Sequence, residues 1–336
     1  MGRALRAALA VTMTVAAAVP FGLGSAAAGA DELAPPVVSR VSGADRYELA
    51  ATLAVQSRPA GADIVYVASG ESYPDALSAG PAAVHGRGAL LLVRADAVPT
   101  AAVSALATLR PPRIVVVGGP ASVSPAVLTE LQRLAPAASV TRISGADRYE
   151  VSRTVATTAF APGLAETFVA TGRNFPDALT VGAAAGLLDS PVVLVDGALP
   201  GVDIPTVRSL DQLRTSRITL VGGTSSVSAT AEFSLGLTHS VRRIDGPDRY
   251  TVSQNINTTI PASFETVYLV TGENFPDALA GGVLAGTRHR PMYIVPRDCV
   301  PAPVLATITT NRPDRVVLLG GPASLGDGVA RLEACS

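Results

Sequence analysis

"RVSGADRYELAATLA" (Arg40–Ala54) decides the organisation of this chain, because it is written three times. It returns as "RISGADRYEVSRTVA" (Arg142–Ala156) and as "RIDGPDRYTVSQNIN" (Arg243–Asn257), about one hundred residues apart each time. Two further stretches repeat in the same order. One is "ASGESYPDALSAG" (Ala68–Gly80), "ATGRNFPDALTVG" (Ala170–Gly182) and "TGENFPDALAGG" (Thr271–Gly282). The other is "VVVGGPASVSPAVLTEL" (Val115–Leu131), "TLVGGTSSVSATAEFSL" (Thr219–Leu235) and "VLLGGPASLGDGVARL" (Val317–Leu332). A period this long marks tandem modules and not a solenoid of short repeats. The modules are set at 31–141, 142–242 and 243–336, after an N-terminal segment 1–30.

Within one module the pattern alternates between helix and strand. Asp45 and Glu48 form a capping box at the start of an alanine-rich helix, and Asp147 with Glu150 repeats it. The third copy keeps Asp248 but has Thr251 in place of the glutamate. Then come the strand "DIVYVAS" (Asp63–Ser69), the loop with "YPDAL", and a helix starting near Asp75. "ALLLVR" (Ala89–Arg94) and "RIVVVGG" (Arg113–Gly119) are further strands, with "PTAAVSALATL" (Pro99–Leu109) a helix between them. Ser124 and Pro125 suit the N-cap and first helical position of the next helix. Apolar strands without polar alternation, separated by helices, predict an α/β fold with parallel sheets covered on both faces. The first two copies end in a short strand near Val140–Ser144 and Val241–Asp245, whereas the third has none. The matching segment is "VVSRVS" (Val37–Ser42), so the N-terminus is expected to complete the third module and close a pseudo-threefold ring.

Composition narrows the function classes. Of 336 residues, 48% are hydrophobic and 16% charged, enough for a large core and unlike a disordered chain. A net charge of −1 gives no electrostatic reason for nucleic acid or an anionic membrane as partner. All 26 basic residues are arginine, whose planar fork suits carboxylate and phosphate. Arg3, Arg6, the apolar run Ala7–Leu23 and the small residues Ser25–Ala30 read as an export signal, cut before Asp31 or, second, before Gly29. A membrane anchor is the competing reading, and no later segment is long and apolar enough to span a bilayer. In an exported chain, Cys299 and Cys335 are expected to pair as a disulfide.

Both repeated loops leave the carboxyl ends of strands, where parallel α/β units gather ligands. Candidate ligand contacts are Arg46, Arg148 and Arg249, Asp75, Asp177 and Asp277, and Asn174 with Asn274. Helix capping alone would explain the aspartates, and turn shape the asparagines. The arginines read either as inter-module ion pairs or as ligand contacts. Tyr47, Tyr149 and Tyr250 face the apolar side of their helices, and Tyr73, Phe175 and Phe275 suit core plugs. No catalytic residue or metal site is assigned, and no cofactor is called for. His85, His239 and His289 are not equivalent between copies, and no nucleophile elbow, P-loop, dinucleotide fingerprint or metal spacing occurs. Repeated weak contacts suit avidity for a repetitive polymer better than three active sites in one chain.

"SGADRYE", "TGENFPDALAGG" and "VVLLGGPASL" in three ordered copies resemble the type 2 cell wall-binding repeat of Gram-positive surface proteins, over about Arg40 to Ser336. That resemblance implies three Rossmann- or Toprim-like modules with pseudo-threefold symmetry. It also implies secretion and non-covalent attachment to the cell wall through an anionic secondary polymer or teichoic-acid-like glycan. The implied contacts are the arginines and aspartates of "DRY" and "PDAL". Relatives carry such repeats beside S-layer, adhesin, protease or amidase domains, so the expected alternatives include an amidase-type wall hydrolase or a modifier of one. A separate wall-associated protein is an expected partner. Pro247, the missing glutamate of the third copy and "ESYPDAL" of the first depart from the pattern.

Overall fold

The computed structural model describes residues 35 to 335, and the expected export signal lies outside them. β1 (Val37–Val41) comes first, followed by α1 (Arg46–Ser57), β2 (Val65–Ser69), α2 (Pro74–His85), β3 (Ala89–Val93), α3 (Thr100–Leu109), β4 (Arg113–Val117), α4 (Pro125–Leu134) and β5 (Ser139–Ile143). The second pass gives α5 (Arg148–Ala159), β6 (Thr167–Thr171), α6 (Pro176–Leu187), β7 (Val192–Val195), α7 (Ile204–Leu213), β8 (Arg217–Val221), α8 (Ala229–Gly236) and β9 (Ser240–Ile244). The third gives α9 (Arg249–Asn257), β10 (Thr266–Thr271), α10 (Pro276–Arg288), β11 (Met292–Val295), α11 (Ala302–Asn311), β12 (Arg315–Leu319) and α12 (Asp327–Ala330).

These strands form three parallel four-stranded sheets, ordered β3-β2-β4-β5, β7-β6-β8-β9 and β11-β10-β12-β1. β2, β3 and β6 are buried throughout, as the unbroken apolar runs require for sheets covered on both faces. The closing strand is where the sequence places it: β1 pairs with β12 from Val37↔Arg315 to Val41↔Leu319. The expected module starts at 142 and 243 fall inside β5 and β9, strands that complete the preceding sheet. Each fourth strand thus carries the chain out of one sheet and into the helix that opens the next.

α2, α6 and α10 pack on one another at the centre, and the largest hydrophobic cluster joins residues of all three modules, among them Leu77, Leu179 and Leu284. Their approach is close: a Cβ on Gly286 would meet Ala183 O at 3.2 Å and Gly186 Cα at 3.4 Å. The local signals hold as expected. Asp45 accepts from the amides of Tyr47 and Glu48, Asp147 from Glu150, Asp248 from Thr251, and Ser124 from Val127. In the third module Gly326 stands where Ser124 and Ser228 cap their helices, and α12 is only 4 residues long, without a side-chain cap. Cys299 and Cys335 are disulfide-bonded, with Cα atoms 4.9 Å apart. Closing a loop of 36 residues is worth about 4 kcal/mol in the chain-entropy account.

One arginine per fourth strand locks that strand to its sheet. Arg40 Nη1 and Nη2 donate to the carbonyls of Gly320 (2.9 Å) and Leu325 (2.8 Å), about as far away in sequence as the chain allows. Arg142 Nη1 donates to Gly118 O at 2.6 Å, and Arg243 Nη1 to Gly222 O at 2.7 Å. Hydrogen bonds from a charged donor contribute about 1.5–3 kcal/mol each. Arg40→Ala is therefore expected to lower unfolding free energy by about 2–3 kcal/mol in urea denaturation. A neutral Arg40→Ala beside a costly Arg142→Ala would mean that the ring is open in solution.

Candidate functional site

The strand order itself selects one end of each module. The first strand of each module sits inside its sheet, and the chain runs outward to the second strand before crossing back to the third. The crevice between first and third strands, at their carboxyl ends, is the topological switch point where such folds bind ligands. The "YPDAL" or "FPDAL" loop and the "GGPAS" or "GGTSS" turn stand on its two sides.

Asp75, Asp177 and Asp277 sit inside that crevice. Their role as helix caps does not hold: the N-caps are Tyr73, Phe175 and Phe275, with no side-chain cap bond, and proline follows. Each aspartate lies two residues past the N-cap, too deep in the first turn to cap it, although its charge still suits the helix N-terminus. Its carboxylate instead rests against the first glycine of the opposite turn, at φ +118° in Gly118, +102° in Gly222 and +126° in Gly320. Only glycine both tolerates that backbone and leaves room for the carboxylate. The aspartates are 7%, 7% and 8% exposed. Burial raises the pKa of Asp75, while hydrogen bonding from Ser122 and the positive charge of Arg148 act against the rise. Ser226 and Arg249 act likewise on Asp177, and Ser324 and Arg46 on Asp277. In each case the arginine comes from the next module around the ring.

Those arginines are anchored at home and reach across the boundary. Nη1 of Arg46, Arg148 and Arg249 donates to Gly70 O (2.6 Å), Gly172 O (2.7 Å) and Gly272 O (2.5 Å). The same guanidinium groups lie over aromatic rings of the preceding module: Arg46 over Phe275 (5.7 Å), Arg148 over Tyr73 (5.7 Å) and Arg249 over Phe175 (5.8 Å). The expected inter-module ion pair does not describe their contacts. Among the described residues they form no direct ion pair with the three aspartates, and each instead joins a carbonyl to a neighbouring ring. The rings themselves meet in a triangle, with centroids 5.6, 5.7 and 5.9 Å apart. They are half-buried and plug the axis, as expected of core residues. Tyr73 adds what the two phenylalanines lack: its hydroxyl accepts from Arg148 Nη1 (3.2 Å) and donates to Arg173 O (2.9 Å).

Asn174 and Asn274 are exposed at the loop tips beside this triangle, with Ser72 in the equivalent place. A cleft of about 190 Å³ lies between the second and third modules, lined by Asn174, Asp177, Ser226, Asp248 and Arg249. Tyr47 is buried, and Tyr149 and Tyr250 pack against the core. The histidines are scattered: His85 pairs with Asp189 and His239 with Asp211, while His289 terminates α10. Sequence reasoning missed Ser122, Ser226 and Ser324, and also Arg40, Arg142 and Arg243. Their signal was present, as a serine four residues after the first glycine and an arginine opening "R-x-x-G" in every copy.

The raised carboxyls give a pH signature. In the folded state Asp177 keeps its proton to higher pH than in the unfolded chain, whose carboxyl titrates near 3.8. This residue's contribution therefore favours folding below that value and is lost as pH rises through the raised pKa. Asp177→Asn removes that component. Its unfolding free energy relative to the parent is expected to increase as pH rises from about 4, measured by urea denaturation at constant ionic strength.

The Cell wall binding domain 2 (CWB2) family matches this chain at residues 40–128, 142–232 and 243–330. Among characterised proteins, the "Amidase enhancer" of Bacillus subtilis (strain 168) is 30% identical over 79% of this chain and 36% of its own length. "N-acetylmuramoyl-L-alanine amidase LytC" of the same organism is 27% identical over 89% of this chain and 58% of its own. The chain thus spans less than two thirds of either relative. Among solved structures, Cwp6 from Clostridium difficile superimposes with a TM-score of 0.79 at 23% identity, over 89% of this chain and 48% of that one. Cwp8 from Clostridium difficile gives 0.78 at 20%, over 88% and 51%. Both share the fold. With three matched segments covering most of its length, the chain belongs to the Cell wall binding domain 2 family.

Proposed function

We propose that this member of the Cell wall binding domain 2 family is a secreted protein that attaches without covalent bonds to the bacterial cell wall. Its ligand is an anionic secondary wall polymer or teichoic-acid-like glycan, bound by three modules acting together. The observation that carries this reading is the cyclic arrangement at one end of the molecule. Arg46, Arg148 and Arg249 each bridge a module boundary beside an aromatic ring. Guanidinium forks suit phosphate or carboxylate, and ring faces suit the apolar side of a sugar. Three such positions on one repetitive chain multiply a weak affinity into a firm attachment. Asp75, Asp177 and Asp277 stand behind the arginines and shape the loops, and Asn174 and Asn274 offer amide contacts at the rim.

The role is binding and not catalysis. The three aspartates are held against glycine turns in buried surroundings, which suits a structural carboxylate better than a general acid open to substrate. The names of the two relatives support a second reading, in which the chain acts on an amidase or is part of one. An amidase enhancer among them also supports a separate wall-associated protein as working partner.

The test is sedimentation of the mature chain with purified walls, before and after chemical removal of the anionic polymer. Binding is expected to intact walls and to fall to background after removal. The triple variant Arg46→Gln/Arg148→Gln/Arg249→Gln is expected to stay folded by circular dichroism and lose at least about tenfold in wall affinity. Undiminished binding after polymer removal contradicts the polymer reading, and release of soluble muropeptides contradicts the non-catalytic one.

A further inference from the structure

The sheet face on the side of α5 carries a groove, and on the equivalent faces of the other two modules longer, bonded side chains stand. In the first sheet one cross-strand row is Tyr66–Val115–Thr141, in the second Phe168–Thr219–Arg242, and in the third Tyr268–Val317–Ser39. Over the second row, Glu166 stands where the first module has Ile64. Its carboxylate accepts from Arg242 Nη2 (2.8 Å) and from Thr219, so the side chains fill the face. At the third, Arg288 stands where the first module has Gly86, and it reaches across to Gln56 O of α1 (2.7 Å). The first module has neither device. A groove of about 650 Å³ remains between the row and the hydroxyls of Thr154 and Thr158 on α5. That volume lies within the range of about 300–1,000 Å³ common to small-ligand sites.

Its lining has a defined chemistry. Val115, over the buried Ile64 and Tyr66, makes an apolar floor, and Thr141, Thr154 and Thr158 supply hydroxyls. Arg113 stands at the amino end of β4, exposed and without a side-chain partner among the described residues. Among the described residues no carboxylate lines the groove; Asp189 is outside the lining and bonds His85 at 2.5 Å. Arg142 borders the groove, but its guanidinium is held by Gly118 O. Ile64, Arg113 and Ser139 line it at the amino ends of the strands, and none of the arginine–aromatic residues is in its lining.

We propose that this groove is a second binding site, specific to the first module, for a sugar unit carrying a negative group, with Arg113 as its cation and the hydroxyls of Thr141, Thr154 and Thr158 facing the sugar. The site is independent of the wall-polymer reading above, because it shares none of that reading's residues. The experiment is a ligand titration of the mature chain followed by amide NMR. Glucose 6-phosphate and glucuronate serve as phosphate and carboxylate probes, with glucose as the uncharged control. Saturable shifts are expected in β2, β4 and β5 with at least one charged probe, and weaker binding with glucose. A sugar phosphate that outcompetes glucuronate would identify a phosphorylated ligand, and the reverse a uronic acid. Arg113→Ala, a surface change, is expected to weaken binding about tenfold, and Ile64→Glu/Thr141→Arg, which rebuilds the plug of the second module, to abolish it. Arg249→Ala is expected to leave it unchanged. Absence of saturable binding by all three probes, equal binding of glucose, or binding untouched by Arg113→Ala overturns the proposal, even where the rebuilt plug fails to fold.

Discussion

The parallel pairing of β1 with β12 is the interaction on which the rest of this structure depends. The third sheet takes its fourth strand from the N-terminus, and a third strand left without one would expose a row of backbone donors and acceptors. The first two sheets take theirs from the chain that follows, and the third takes β1. Once β1 is in place, the helix after each fourth strand is carried over the module boundary. There it packs against the central helix of one module and the sheet of the next. The three-helix centre, the shared core and the repeated arginine contacts all follow from this handover.

The same handover explains why the candidate site is composite. An arginine one turn past the fourth strand arrives beside the previous module's aromatic ring while holding a carbonyl of its own. Three such junctions place their cations around one aromatic triangle without bringing them into contact with an acid. The buried aspartates contribute by order and not by charge exchange. Each one joins a helix start to a glycine turn that would otherwise be free to move.

Much of the architecture was legible because its signals are local or counted. The cap at Ser124, the boxes at Asp45 and Asp147 and the apolar strands need only neighbours in sequence. The ring closure was legible by arithmetic, since two modules end in a strand and the third does not. Asp75 misled, because proline before it and alanine after it look like any helix start. Its true partners, Gly118 and Ser122, lie on a different loop and meet it only once the sheet is built. The groove beside Tyr66 was invisible for the same reason: Ile64, Gly86 and Thr141 mean nothing until register aligns them with Glu166, Arg288 and Arg242. Arg40 and its counterparts were repeated in plain view, yet their value is a contact with a turn that sequence spacing alone does not bring near.

On the proposed reading, recognition occurs at three junctions at one end of a closed ring. Hydrogen–deuterium exchange of the mature chain, alone and saturated with purified wall-polymer fragments, tests it most directly. Protection is predicted to appear together at the loops after β2, β6 and β10 and at the first turns of α1, α5 and α9. Protection confined to a single module, or absent from all three junctions while the polymer is bound, would contradict it.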